Sequence, residues 1–453
     1  MTSEETTTVI SPFDLLPDEI CLRIFTELPV STICLCQTVS KRWYYIFQDE
    51  SLWQHHCSIF FEPGPLPPRT SSTLDSWKKF YRLQLDRNRG TAKKAFNFKA
   101  HDSKVISLKL RGNILVTGSN DKFLGVWNIK TGKREKEIHV GADIICVDFI
   151  EHKDVVVCGS YYGDFGCKLF SLSTGKPLGE FREDHWIGTQ CLDINDEYII
   201  LGTYKGMIHV LSWKDGRKVA LFHIHNNRVA GVRLLGKDTA MSVSSNGAID
   251  IFSISTNDLL YQHFLPRTAV NICAFDNNVE GHDLLCIAPK GSIFHLRWED
   301  LDDVKGSILS EEGKIDERIR KLYSKDPTII YQNNEISDRL FCAAIDSRYN
   351  YGVIGSLSSF PPKGDLLIYN SNVSRVNGIR GFNKIKLKNF TSSDTVCDVN
   401  VDTENVGNVS RTENGLLSLP DSSGSVFNVL GIDEERVVSG CTRGWIHCFE
   451  FNI

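Results

Sequence analysis

From about residue 92 onward, apolar side chains alternate with polar ones over short runs that tight polar or glycine turns interrupt. Five segments can be laid under one another: Gly118–Trp127, Gly202–Leu211, Val243–Phe252, Ile287–Leu296 and Gly440–Phe449. Each reads as the end of one strand, a turn, and a second strand with period-two side chains. Looser copies run from Gly159 to Phe170 and from Gly355 to Tyr369. The last apolar positions of these copies are Trp127, Phe170, Leu211, Phe252, Leu296, Tyr369 and Phe449. The first four steps are 41–44 residues, the length of a four-stranded propeller blade. The last two, 73 and 80 residues, are each one blade plus an insertion. One insertion, near 299–327, is charge-rich; the other, near 390–424, is rich in Ser, Asn, Asp and Thr, and both read as surface excursions. An orphan strand at 92–98 precedes the first copy, and the last copy stops one strand short. Pairing the two closes a ring and removes its sheet edges, which predicts a mainly β, seven-bladed propeller over 92–453.

The pattern before the ring is helical. Leu16, Ile20, Ile24 and Leu28 recur every four residues, and Leu22 and Phe25 widen the apolar surface. Pro17 suits a first helical position, with Asp18 and Glu19 complementing the helix dipole. Pro29 ends that helix, and Ser31 is the expected cap of the next. A second apolar set follows at Ile33, Leu35, Val39, Trp43, Ile46 and Phe47, then Leu52 and Trp53 after another turn. Some 45 residues of short helices, apolar on more than one side, form a marginal domain unless they dock onto something. The proline-rich stretch 62–69 is a stiff spacer. Beyond it Trp77, Phe80, Tyr81 and Leu85 form one helical stripe, expected to make a packed joint that fixes the orientation of the flanking modules. The organisation expected is a small all-α domain at 12–58, a linker with a connecting helix at 59–91, and the propeller at 92–453.

Composition narrows the function classes. The chain has 453 residues, more than one hydrophobic core usually supports, with 41% hydrophobic and 24% charged residues. A net charge of −5 with both signs mixed gives no argument for nucleic acid or an anionic membrane as partner. The amino terminus is polar and acidic, unlike a secretory signal, and no apolar run is long enough to span a bilayer. A cytoplasmic or nuclear location is expected. The 14 cysteines are scattered, without a Cys-x-x-Cys pair, and many sit in strand-like runs where thiols act as small hydrophobes. No Gly-rich phosphate loop, Gly-x-Ser-x-Gly or His-Glu-x-x-His motif appears. Nor are acidic or metal-binding residues seen to converge at repeat offsets, as a propeller hydrolase would require. No enzyme activity, cofactor or metal site is expected.

Three strands are preceded at one offset by His101, His185 and His225, and the first blade also carries Ser119, Asp121 and Trp127. The ring thereby resembles the WD-repeat family, in which such a tetrad hydrogen-bonds between turn and strands. The resemblance makes His101, Ser119, Asp121 and Trp127 structural rather than catalytic, because a scaffold repeats its residues whereas an active site occurs once. Val140 and Pro266 stand at histidine positions and only the first blade keeps Trp, so the other blades must rely on apolar packing.

The helical segment, with Leu16-Pro-Asp-Glu-Ile20, Leu28, Val39-Ser-Lys-Arg-Trp43 and Ser51-Leu-Trp53, resembles an F-box. The resemblance implies that Leu16, Pro17, Ile20, Ile24, Leu28, Leu35, Val39 and Trp43 meet a Skp-type adaptor, and through it a cullin. The chain would then be the non-catalytic substrate-recognition subunit of an SCF-type ubiquitin ligase, its ring binding an unidentified target protein. An interaction scaffold that never enters a ligase is the alternative. WD-type receptors of phosphorylated degrons crowd arginines at the second residue of the first strand and in the following turn. Those positions here hold Ile106, Ile145, Gln190, Ala230 and Asn271, and Asn120, Tyr161, Tyr204 and Ser245. A reader of that type is disfavoured, and Tyr161, Gln190, Tyr204, Arg228 and Asn271 are the expected target contacts.

Overall fold

The computed structural model describes residues 12–61, 66, 76–160, 166–182, 188–265, 269–270, 272–276, 283–288, 292–297, 328–333, 339–346, 348, 351–359, 362–370, 382–384, 386–387, 410–411, 417–418 and 427–451. The chain divides into two compact units, Met1–Asp86 and Arg87–Ile453.

In the first unit a 3₁₀ turn (Pro12–Leu15) leads into helices α1 (Asp18–Thr26), α2 (Val30–Cys36), α3 (Lys41–Ile46) and α4 (Glu50–Phe61). Pro17 and Pro29 occupy the N-cap positions of α1 and α2, so each proline starts its helix from just outside. Ser31, the expected cap, falls instead within the first turn of α2. Ser40 does cap α3, its hydroxyl accepting the Trp43 amide at 3.1 Å. Helix α4 runs for 12 residues and carries Leu52 and Trp53 after the turn that follows Phe47. The core gathers Cys21, Phe25, Ile33, Ile46, Phe47, Leu52 and Trp53, with Leu16, Leu28, Trp43, Trp77 and Tyr81 packed against it. Phe25 lies 4.4 Å from the Phe47 ring centroid and 5.0 Å from that of Trp43. The Trp53 indole donates to the Phe47 carbonyl at 2.8 Å, so the buried N–H is satisfied. Helix α5 (Trp77–Asn88) is tied to the same helices by the Trp77 amide, which donates to Glu50 at 2.7 Å.

The second unit is a β-propeller. Six sheets are meanders of four consecutive antiparallel strands, spanning 105–139, 144–181, 189–222, 229–264, 272–333 and 339–384. A further four-stranded sheet is composite, joining Phe427–Ile432, Arg436–Cys441 and Trp445–Glu450 to Lys94–Lys99 from the other end of the unit. The closing register runs antiparallel from Lys94 opposite Glu450 to Lys99 opposite Trp445. The six meanders are numbered as blades one to six in the order given. The first strand of each packs on the first strand of the next, and Phe427–Ile432 returns to Val105–Arg111. The core lies between faces of neighbouring sheets. Val116, Leu124 and Val126 of the first, for example, meet Val147, Phe149 and Val156 of the second.

A glycine in the turn makes this close stacking feasible at two places. Gly444 has φ +82°, and a Cβ there would stand 1.9 Å from the His101 carbonyl oxygen. Its own carbonyl accepts the Ala100 and His101 amides at 2.9 and 3.0 Å, bonding the composite sheet to the first. Gly206 repeats the arrangement against the His225 carbonyl. The insertion expected at 299–327 lies outside the described residues. Of the one at 390–424, only the pair Ser410–Arg411 with Leu417–Ser418 is described.

Candidate protein-binding surfaces

Helices α1 and α2 are amphipathic, and their inward residues (Cys21, Phe25, Ile33) complete a core without the rest. Several of the remaining apolar side chains face solvent. Ile20 and Ile24, one turn apart on α1, are 41% and 38% exposed, while Leu35 of α2 and Val39 just beyond it are 73% and 64% exposed. Leu15 and Pro17 are exposed as well. A soluble domain of this size gains nothing from so many open aliphatic groups unless a partner covers them. Of the expected adaptor contacts, the structure thus exposes Pro17, Ile20, Ile24, Leu35 and Val39. It packs Leu16, Leu28 and Trp43 against the module's own core. The approach to this surface is fixed by Arg42, which donates to Asp18 from Nε at 3.0 Å and to the Phe13 carbonyl at 3.0 Å. These bonds tie α3 to the turn that precedes α1.

In the first blade the expected tetrad has a different hydroxyl. His101 Nδ1 lies 2.9 Å from Asp121 and its Nε2 lies 2.7 Å from Thr117 Oγ, which accepts the Trp127 indole N–H at 2.9 Å. Hydrogen-bond chemistry then assigns one direction: indole to Thr117, Thr117 to the imidazole, imidazole to Asp121. Ser119 stands outside that chain and accepts the Asp121 amide at 3.1 Å. Burial opposes ionisation of Asp121, but His101 and the Phe123 and Asp102 amides hold its carboxyl below the usual range. In the fourth blade His225 contacts Ser242 at 2.8 Å, and Asp250, on a strand rather than in the turn, takes a bond from Gln262 at 2.8 Å. His185 lies outside the described residues.

On the loop side of the ring, Tyr204 is exposed in its turn and the Gly188 carbonyl accepts its amide at 3.3 Å. Gln190, at the bulge of the strand Thr189–Ile194, and Arg228 are half-buried. Ile106, Ile145 and Ala230, at the position equivalent to Gln190, are also half-buried. Tyr161 and Asn271 lie outside the described residues.

A set of charged residues on the innermost strands escaped the sequence reading. Lys109, Asp148, Asp193 and Arg233 stand at one register position in the first four blades, each four residues after Val105, Ile144, Thr189 and Val229. Acidic residues do therefore converge at a repeat offset, contrary to expectation. They are neutralised where they stand: Asp148 meets Lys109 at 3.0 Å and Arg111 at 2.8 Å, and Asp193 faces Arg233 at 3.7 Å. Burial works against Asp148, but Arg111 and Lys109 hold its carboxyl well below the carboxylate range. Burial pushes the Asp193 carboxyl up, with Arg233 offsetting part of the effect. The equivalent positions of blades five and six and of the composite sheet hold Ala274, Ala344 and Gly431. They line a cavity of about 140 Å³ with Lys109 at its edge. The signal was legible as that fixed offset of four, once the copies were aligned on their inner strands. Among the described residues, no group of three or more His, Cys, Asp or Glu side chains is placed to hold a metal ion.

Comparison with known proteins bears on the helical unit first. A model of the F-box-like family matches residues 13–59. F-box/WD repeat-containing protein 7 of Drosophila melanogaster is 27% identical over 133 residues, covering 26% of this chain and 10% of that protein. An F-box protein of Saccharomyces cerevisiae is 26% identical over 148 residues, covering 26% of this chain and 23% of that one. Residues 13–59 are thus similar to the F-box-like family, and about a quarter of the chain is similar to F-box and F-box/WD repeat proteins. A third relative, the probable E3 ubiquitin ligase complex SCF subunit sconB of Arthroderma otae, is 26% identical over 152 residues, or 26% of this chain and 23% of the relative. The chain thus spans less than a quarter of the length of these relatives. In the helical unit, the open aliphatic groups of α1 and α2 are the unexplained surface. In the propeller, the histidine networks and the inner ion pairs are internal to the scaffold.

Proposed function

We propose that this protein is the substrate-recognition subunit of an SCF-type E3 ubiquitin ligase, the F-box at 12–58 binding a Skp-type adaptor and through it a cullin. The observation that carries the reading is the exposed aliphatic set Ile20, Ile24, Leu35 and Val39 on a helical module whose core is already complete. The printed names of the relatives, one an SCF subunit, support the same assignment. The adaptor interface then consists of Pro17, Ile20, Ile24, Leu35 and Val39. Leu16, Leu28 and Trp43 hold the shape beneath it. The closing sheet counts as the seventh blade of a WD-repeat ring over 92–453, and that ring binds the target.

The protein carries out no bond chemistry on this reading. It raises the local concentration of a target lysine near a ubiquitin-charged enzyme, which is catalysis by proximity. Tyr204, Gln190 and Arg228, with Tyr161 and Asn271, form the target contact. A single half-buried guanidinium among neutral side chains suits an uncharged peptide better than a doubly charged phosphate, which favours a bidentate arginine pair. The adaptor and cullin place the protein in the cytoplasm or nucleus.

Affinity capture from cells tests the assignment. Wild-type protein is expected to bring down adaptor and cullin together, and a chain carrying Ile20→Asp with Leu35→Asp neither. Recovery of cullin with the double variant would count against this surface.

A further inference from the structure

We infer that Cys273 and Cys286 form an oxidisable pair, a thiol modification site that becomes a cross-strand disulfide between the first two strands of the fifth blade. Three geometric observations carry this. The two residues are direct antiparallel partners in the register of Ile272–Phe275 with Asp283–Ile287. Such partners have Cα atoms roughly 4.5–5.5 Å apart, inside the span of about 4.4–6.8 Å that a disulfide bridges. Both side chains join one apolar cluster with Met241, Val243, Ile249 and Ile251 of the fourth blade, so they point the same way. Gly231 of the fourth blade keeps the space that Cys273 occupies clear, since a Cβ there would stand 2.8 Å from Cys273 Sγ.

The asymmetry of the pair sets the order of events. Cys273 is half-buried and meets the oxidant; Cys286 is buried and resolves. With a peroxide, Cys273 sulfur attacks one oxygen, the O–O bond breaks, and a sulfenic acid and one water result. Cys286 sulfur then attacks that sulfenic sulfur; the S–S bond forms, the S–O bond breaks and a second water leaves. Two thiols have lost two protons and two electrons, and the peroxide has been reduced to water. Burial pushes the Cys273 thiol up, which makes the first step slow and shields the finished bond from reductants. Cys191, half-buried in the third blade, lies on another sheet and its thiol donates to the Val229 carbonyl at 3.8 Å.

Peptide mapping of the full chain tests this. The protein is treated with hydrogen peroxide, remaining thiols are alkylated, and cleavage after Glu280 separates the two cysteines before mass spectrometry without reductant. A linked Cys273–Cys286 pair is expected, lost on reduction, absent in Cys273→Ser and Cys286→Ser, and retained in Cys34→Ser and Cys191→Ser. The linked protein should also unfold at a higher temperature than the reduced form. Should a serine variant fail to fold, the linked peptide in wild-type protein decides alone. Both thiols recovered alkylated at doses that fully oxidise the exposed Cys34, or Cys273 linked to Cys191 instead, would overturn the proposal.

Discussion

Thr117 shows how much one hydroxyl carries in the first blade. It takes the Trp127 N–H and supplies the bond to His101, while Gly125 across the ladder leaves room for the indole. A Cβ at Gly125 would stand 2.4 Å from Trp127 Nε1 and 2.9 Å from Thr117 Oγ. Thr117→Val keeps the shape but strands two buried groups, at roughly 1–3 kcal/mol each. Ser119→Ala loses one bond to a backbone amide beside solvent, worth about 1 kcal/mol. Urea unfolding should therefore rank Thr117→Val well below Ser119→Ala in midpoint; the reverse order would return Ser119 to the tetrad. A second residue-scale expectation concerns pH. Burial holds the His447 and His225 imidazoles at about 4 in the folded ring, against about 6.5 when unfolded. The unfolded chain takes up protons that the folded chain refuses, so this stability is complete above about pH 6.5 and is lost as pH falls towards 4. Asp250, raised by burial to about 6, acts in the opposite sense. His447 is thus the better probe. Going from pH 6.5 to 5 should cost roughly 2 kcal/mol on its account, and His447→Gln should flatten that part of the stability profile.

At the scale of strands and helices, the ion pairs on the inner strands act between blades. Asp148 belongs to the second blade and its two cations to the first, so Asp148→Asn leaves Lys109 and Arg111 facing each other beside a buried amide. A loss of about 3–5 kcal/mol is expected from thermal or urea unfolding, against less than about 1 kcal/mol for an exposed pair such as Arg134–Glu137. The elements differ in how far the sequence announced them. Blade strands were legible because period-two patterning repeats at a nearly constant interval. The tetrad hydroxyl was not, because Thr117 and Ser119 sit two apart on one strand and share a face; only the position of the indole chooses between them. The inner charges were passed over because Lys109, Asp148, Asp193 and Arg233 differ in sign, so no single residue type recurs. In the helices, a period of four identified the amphipathic face but not how the core divides it. Ile20 and Ile24 turn outward, while Leu16 and Leu28 of the same series pack inward.

For the whole molecule, the proposed function assigns adaptor binding and target binding to different units. The propeller is closed by Lys94–Lys99 pairing with Trp445–Glu450, so strands from both ends of the unit share one sheet. The helical unit holds its own core and leaves Ile20, Ile24, Leu35 and Val39 open. This separation is what the central claim requires, and binding of the purified chain to a purified Skp-type adaptor tests it most directly. Calorimetric titration should give a one-to-one complex whose affinity falls by roughly 2–4 kcal/mol in Ile20→Asp with Leu35→Asp, with the circular dichroism of the ring unchanged. Folded wild-type protein that shows no heat of binding, or a double variant that binds as tightly, would contradict the account.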